Sequence, residues 1–242
     1  ANYNAVSVIL GTNRDEMKLF LSFSPDQVDK FMGIPIAIKN SGRYEAFSSY
    51  ASDQWKIKAV DQLATVMRQG QGDNVFAYRF DADDLRDFGF LSLQELMGAA
   101  HAFEIPYVFG NFVSFMSNLI HPESARSARN ALSQSMMSYW ASFAHYGEPA
   151  KGYHGKQVEW STWSNNDEQN RVMIFDTSID RGIRMSPLKL KMQDLKQRFF
   201  SETRFNDQEE HCQAYKLLFA NENFVQSEYD NLGDKGCSEV GL

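Results

Sequence analysis

The pattern of apolar residues predicts β-strands that alternate with helices along the chain. Val6–Leu10 is a short, β-branched apolar run that Gly11 ends, which is typical of a buried strand. Asp53–Arg68 repeats apolar residues at helical intervals, and Asn74–Phe80 alternates as a strand does. Because a helix separates these two strands, we expect a parallel βαβ unit with a right-handed connection.

The remaining elements follow from the same reasoning. Ser24-Pro25-Asp26 has the residues of a helix N-terminus, since serine caps, proline suits the first helical position and aspartate favours the helix dipole. That helix would bury Val28, Phe31 and Met32. The other predicted elements are a loop or short helix over Ile34–Gly42, a long helix over Pro122–Ala144, a third strand over Val172–Asp176, an antiparallel strand over Gly182–Ser186 and a final helix over Leu188–Phe200.

Composition excludes several classes of function. The chain of 242 residues has a net charge of −7 and a pI of about 5.3, which argues against a nucleic-acid partner, whose phosphates attract a basic patch. The sequence has no continuous run of about 18 apolar residues, so we expect no membrane-spanning segment. An apolar fraction of 43% is enough for a packed core.

Two short segments carry the candidate chemistry. Asp15 and Glu16 follow the first predicted strand, where open α/β sheets place functional groups, although acidic residues there also occur simply as a helix N-terminal pair. His101 follows Gly98-Ala99-Ala100, whose small side chains leave the imidazole accessible, and it precedes an aromatic run. A histidine in such a setting is consistent with a structural role as well as a catalytic one.

Taken together, these segments resemble the carboxylesterase/cholinesterase branch of the α/β-hydrolases. The likeness covers about residues 1–187 and its motifs occur in the family's order. The residues that match the family's motifs are Gly11, Asp15 and Glu16, then His101, Phe103, Glu104, Ile105, Phe109 and Gly110, and finally Tyr139-Trp140, Phe143-Ala144, Gly147, Pro149, Trp160 and Trp163.

The resemblance implies the C-terminal half of an α/β-hydrolase, with a mostly parallel central sheet flanked by helices. It makes Glu16 the acid of a Ser-Glu-His triad, His101 its general base and Glu104 a buried supporting residue. The family's chain order, serine, then acid, then histidine, also fits. Three departures lie beside these residues, namely Met17, Ala100 and Ala102 in place of the usual glycine, proline and glycine.

The nucleophile motif of the family, Gly-x-Ser-x-Gly, does not occur in these 242 residues. We therefore expect the serine and the oxyanion hole to come from an N-terminal half, by processing into two chains or from a separate partner, and activity only with that half. The implied function is hydrolysis of a small-molecule carboxylic ester without a cofactor or a metal. The alternative is a non-catalytic, cholinesterase-like binding or adhesion protein.

Aromatic residues near His101 are candidates for the pocket wall, although they suit a plain core equally well. The candidates are Phe103, Phe109, Phe112, Phe115 and Met116.

Residues 1–200 are assigned to the hydrolase half and residues 201–242 to a C-terminal extension. Cys212 and Cys237 lie in that extension, and their spacing suits both a local disulfide and two free thiols. The resemblance favours the disulfide and a secreted or periplasmic location, since members of the family usually work outside the reducing cytosol.

Overall fold

The computed structural model describes residues 3–113, 115–233 and 236–238, with the backbone alone at residues 115 and 116. The strands are β1 (Val8–Asn13), β2 (Val28–Phe31), β3 (Ile34–Ile38), β4 (Val75–Phe80), β5 (Val172–Phe175) and β6 (Arg184–Ser186). The helices are α1 (Lys18–Leu21), α2 (Ser41–Lys56), α3 (Leu63–Gln71), α4 (Leu93–Met97), α5 (Ile105–Phe109), α6 (Phe115–Ile120), α7 (Arg126–Tyr146), α8 (Met192–Phe200), α9 (Gln208–Leu218) and α10 (Gln226–Asp230). None of the described helices is long and apolar enough to cross a membrane.

The central sheet of the described chain has the strand order β1-β4-β5-β6. Strand β1 pairs in parallel with β4, from Val8 opposite Val75 to Asn13 opposite Phe80, and β4 pairs in parallel with β5. Strand β6 is antiparallel to β5. The predicted mostly parallel sheet, the βαβ unit and the antiparallel strand over Gly182–Ser186 are therefore confirmed.

The second half of the connection between β1 and β4 is one long helical run. It begins at Ser41, directly after the capping residue Asn40, whose side chain accepts a hydrogen bond from the Arg43 amide. It continues through α2, a π-helical turn over Ile57–Gln62 and α3. The run thus starts twelve residues before the predicted Asp53. Its first turns carry serine and glycine instead of a strong apolar stripe, so only the capping residue indicates where it starts.

A hairpin replaces the helix predicted after Ser24-Pro25-Asp26 and most of the loop or short helix predicted over Ile34–Gly42. Strands β2 and β3 pair antiparallel, and Met32 and Gly33 both have positive φ, as the turns that match strand twist require. Alternation of Ile34, Ile36 and Ile38 is the strand signal that the capping residues obscured.

Strand β1 also runs further than predicted, through Gly11 to Asn13. A Cβ at Gly11 would overlap the ring of Tyr78 on the neighbouring strand. The glycine is therefore a point of close approach within the sheet, and the strand ends only at Asn13.

Both faces of the sheet are covered, and alternate residues of each strand serve the two faces. Phe76 of β4 and Phe175 of β5 pack towards α7, whereas Ala77 and Ile174 pack towards the long helical run. The carboxyl ends of β1 and β4 are consequently held on a rigid base.

The segment after α8 packs on α2 and does not form an isolated tail. One buried cluster includes Phe47 and Tyr50 of α2 together with Phe199, Cys212 and Tyr215. Cys212 and Cys237 form a disulfide, 25 residues apart in the sequence. The domain boundary at residue 200 remains a prediction.

Candidate active site

Glu16 lies three residues beyond the end of β1, in a turn that fixes one of its carboxylate oxygens. Its Oε1 accepts hydrogen bonds from the Asn13 backbone amide over 2.7 Å and from the Thr12 hydroxyl over 3.1 Å. The Glu16 side chain is only 6% exposed. With Oε1 occupied, Oε2 is directed to one remaining partner.

That partner is His101. Its Nδ1 lies 2.7 Å from Glu16 Oε2 across 85 residues of sequence. Because a carboxylate only accepts hydrogen bonds, Nδ1 carries the proton, and in the neutral ring Nε2 is an acceptor. The imidazole is 41% exposed, and within the described residues no hydrogen bond to Nε2 is found. The arrangement is that of a base whose inner nitrogen is oriented and whose outer nitrogen is accessible.

Two aromatic rings border the imidazole. The ring centroid of Phe20 lies 5.5 Å from that of His101, and the centroid of Trp55 lies 5.7 Å away in an edge-on arrangement. Phe20 belongs to α1, directly after Glu16, and Trp55 belongs to α2. These rings restrict how the imidazole can turn and leave one side of it open.

Asn13 is a supporting residue that the sequence did not reveal. Its Nδ2 donates to the Ala100 carbonyl and to Glu104 Oε2, each over 2.6 Å. Asp15 ties the same two segments, since its backbone amide donates to the Ala99 carbonyl and its Oδ2 accepts from the Ala99 amide. The acid turn and the histidine turn are therefore joined at four points besides the Glu16–His101 contact.

The backbone of the histidine turn is unusual at two positions. Ala102, directly after His101, has a φ of 67°, in the left-handed region that favours glycine. Gly98 also has a positive φ, and a Cβ there would overlap the Asp15 carboxylate. Alanine therefore occupies a backbone conformation that favours glycine, the residue that the family's motif usually has at this position.

The predicted pocket-wall residues lie in different places. Phe103 is half-buried and lines an apolar cavity. Phe112 packs on Tyr107 as part of the core, and Phe109 is 74% exposed. The side chains of Phe115 and Met116 lie outside the described residues.

Tyr78 on β4 underlies the pair. Burial, together with the negative charges of Glu104 and Glu16, raises the pKa of its phenol well above the usual range. The phenol therefore stays protonated. No group of three or more histidine, cysteine or acidic side chains suited to a metal ion occurs in the described part of the chain.

The model of the carboxylesterase family matches residues 35–195. The chain belongs to the carboxylesterase family. The matched segment contains His101 and Glu104, whereas Glu16 precedes it.

One curated relative and one solved structure show the extent of the likeness. The chain is 26% identical over 194 residues to the para-nitrobenzyl esterase of Bacillus subtilis, and the match covers 73% of this chain but 35% of that esterase. The crystal structure of EstA from Aspergillus niger superposes with a TM-score of 0.50 at 18% identity, covering 79% of this chain and 39% of EstA. The chain thus has an α/β-hydrolase fold and spans about a third of the length of the curated relative.

Proposed function

We propose that the chain is part of a serine carboxylic-ester hydrolase and supplies two members of its catalytic triad. The observation that carries the proposal is the 2.7 Å contact between His101 Nδ1 and the buried Glu16 Oε2. Membership of the carboxylesterase family and the likeness to an esterase support it. The serine and the oxyanion hole would belong to an N-terminal segment with a Gly-x-Ser-x-Gly motif, which these 242 residues lack.

The chemistry is acyl transfer in two steps. His101 Nε2 takes the proton of the serine hydroxyl while the serine oxygen attacks the ester carbonyl. His101 then returns the proton to the leaving alcohol. An acyl-enzyme remains. His101 then takes a proton from water, whose hydroxide attacks the acyl-enzyme, and the protonated ring returns that proton to the serine oxygen as the carboxylic acid leaves.

Glu16 would keep the imidazole in the reactive tautomer and stabilise the imidazolium that forms in each step. The two hydrogen bonds to Oε1 suit this role, because they hold the carboxylate in place without competing for Oε2. The ties from Asn13 and Asp15 would prevent the two turns from separating during turnover. Small errors in such positioning are costly in rate.

The disulfide between Cys212 and Cys237 supports a secreted or periplasmic location, since such bonds persist in oxidising compartments. The domain assignment we propose keeps residues 1–200 as hydrolase and 201–242 as a disulfide-closed extension.

The test uses the protein with its nucleophile-bearing segment and p-nitrophenyl acetate as substrate. His101→Ala should lower kcat by about 10⁴ or more, because the general base is lost. His145→Ala is the matched control, since that histidine is exposed at the end of α7, and it should leave kcat unchanged. A serine-directed phosphonate should abolish turnover of the wild type.

Turnover that survives His101→Ala would contradict the proposed triad. A preparation that holds the nucleophile-bearing segment and hydrolyses no ester would instead favour the non-catalytic binding or adhesion protein.

A further inference from the structure

A cavity of about 520 Å³ lies between the π-helical turn over Ile57–Gln62 and the segment that leads into α8. Asp61 lines it from the π-helical turn, Val66 lines it from α3, and Leu190 lines it from the opposite wall. Pockets of this size accommodate small organic ligands. None of the residues described above for the candidate active site lines this cavity.

A buried ion pair fixes the two walls of the cavity relative to each other. Lys56 Nζ lies 2.5 Å from Asp61 Oδ1, and the two side chains are only 2% and 1% exposed. Asp61 Oδ2 accepts a hydrogen bond from the Leu190 backbone amide over 2.8 Å. Both oxygens of this carboxylate therefore have partners inside the protein, and Lys56 balances its charge. The walls are in place before a ligand arrives, so little ordering cost accompanies binding.

The rim of the cavity carries an excess of positive charge, in a chain whose net charge is −7. Lys189 and Lys191 line the cavity, and their ammonium groups lie 3.6 and 3.3 Å from the carboxylate of Asp167. Arg171 shares the same carboxylate over 3.1 Å. Three cations thus share one acid, and within the described residues neither lysine forms an ion pair with a second carboxylate. Such a rim attracts a further anion.

The interior of the cavity is aliphatic. Its apolar lining consists of Ile57, Val66, Leu190 and Met192, and none of the described residues that line it is aromatic. Planar aromatic ligands gain from stacking on protein rings, whereas an alkyl chain gains from the burial of any apolar surface. The Thr65 hydroxyl already donates to the Asp61 carbonyl over 2.6 Å. The interior therefore suits an alkyl chain better than a ring or a polar group.

We propose that this cavity binds an aliphatic carboxylate, with the alkyl chain on the apolar lining and the carboxylate paired with Lys189 and Lys191. The site goes beyond the proposed ester hydrolysis and does not depend on it. Octanoate has about ten heavy atoms and fills about 300 Å³ at about 30 Å³ for each of them, so it fits the available volume. Each methylene that leaves water should strengthen binding about fourfold, and charge-assisted hydrogen bonds from the lysines should hold the carboxylate.

The test is a titration of the protein with octanoate, 1-octanol and acetate, followed through the methyl NMR signals of Ile57, Leu190 and Met192. Octanoate should shift these signals. We expect 1-octanol to bind about tenfold more weakly, because it has the chain without the charge. Acetate should bind more weakly still, because it has the charge without the chain.

Two variants of the cavity test its two parts separately. The double variant Lys189→Gln/Lys191→Gln should weaken octanoate binding about tenfold, because the bound carboxylate loses its cations. Val66 is 62% exposed, so Val66→Asp is compatible with the fold. It places a carboxylate beside the alkyl chain and should weaken octanoate binding by a similar factor.

Matched controls make the same chemical changes at exposed positions that do not line the cavity. Lys58→Gln/Lys156→Gln removes two lysine charges, and Val158→Asp adds a carboxylate. Both controls should leave the affinity for octanoate unchanged. Octanoate affinity within about twofold of the wild type in both cavity variants would overturn the proposal. Equal affinity for octanoate and 1-octanol, or the absence of shifts at the three methyl signals, would overturn it as well.

Discussion

The side-chain amide of Asn13 donates a hydrogen bond to Glu104 Oε2 over 2.6 Å, across 91 residues of sequence. The same amide donates to the Ala100 carbonyl. The last residue of β1 thus holds the histidine turn from both sides of His101. The position of the imidazole depends on this amide as well as on Glu16.

Asn13→Ala should lower the free energy of unfolding by about 1–3 kcal/mol, because it leaves buried acceptors without a donor. Asn13→Asp should cost more, since it sets two carboxylates against each other. Denaturant titration measures both effects. Combining Asn13→Asp with Glu104→Gln restores a donor and should recover part of the loss. Asn170→Ala, in an exposed loop, is the control; an equal loss there would refute the special role of Asn13.

Glu16→Gln should change the tautomer of His101. A glutamine can offer an N–H to Nδ1, which moves the ring proton to Nε2, whereas Glu16 only accepts. Histidine ¹⁵N NMR reads the tautomer directly, and kcat for p-nitrophenyl acetate should fall about 10⁴-fold for the same reason. Glu123→Gln, which alters an exposed glutamate, should change neither quantity. An unchanged ¹⁵N pattern in Glu16→Gln would contradict the assigned hydrogen bond.

Lys56→Met should destabilise the protein by about 3–5 kcal/mol, because it leaves the buried Asp61 carboxylate without its cation. Both side chains of this pair are almost fully buried and 2.5 Å apart. Lys58→Met is the matched control two residues away, since Lys58 pairs with Glu222 at the surface. That change should cost no more than about 1 kcal/mol in the same denaturant titration. Similar losses for the two variants would show that burial does not set the strength of the Lys56 pair.

Stability should fall as the pH drops from about 6.5 towards 4. Burial, together with the positive charge of Arg129, lowers the pKa of His121 to about 4. The unfolded chain therefore binds a proton that the folded chain does not, and the unfolding free energy decreases by about 1.4 kcal/mol per pH unit in that window. His121→Phe, in a site already bordered by Tyr107 and Phe112, should remove this part of the slope. Phe112→Leu should lower stability equally at pH 7 and pH 5, and an unchanged slope in His121→Phe would contradict the assignment.

Removal of the disulfide should cost about 3 kcal/mol, the loop entropy expected for cysteines 25 residues apart. The double variant Cys212→Ala/Cys237→Ala and reduction of the wild type should give similar losses in thermal or denaturant unfolding. Reducing agent should not affect the double variant further. A double variant as stable as the oxidised wild type would show that the bond does not stabilise the fold.

The elements that the sequence predicted well are those with strong apolar periodicity. Strands β4 and β5 and helix α7 are buried on defined faces, so their patterns are strict. The prediction of a helix after Ser24-Pro25-Asp26 was wrong. These residues have the local chemistry of a helix N-terminus, but the segment that follows them pairs as strands β2 and β3 instead. Local propensity is a weak guide wherever tertiary pairing competes with it.

The candidate site was predicted from the resemblance to the family's motifs and not from the pattern of apolar residues. Glu16 and His101 each permit a structural interpretation alone, and only the family's motifs linked them. The role of Asn13 had no signal in the sequence, because a single asparagine at a strand end does not reveal a partner so distant along the chain. Such contacts are seen only in the folded structure, where the end of β1 meets the histidine turn.

The parallel pairing of β1 with β4 also affects when the contact between Glu16 and His101 can form during folding. The ends of β1 and β4 meet only after the chain between them has closed on itself, with its long helical run in place. Contacts between residues so distant in sequence cost loop-closure entropy, whereas local helices form without that cost. We therefore expect the distant contacts to form late. In refolding, we expect helix content to return early and the His101 imidazole to reach the Glu16 carboxylate late.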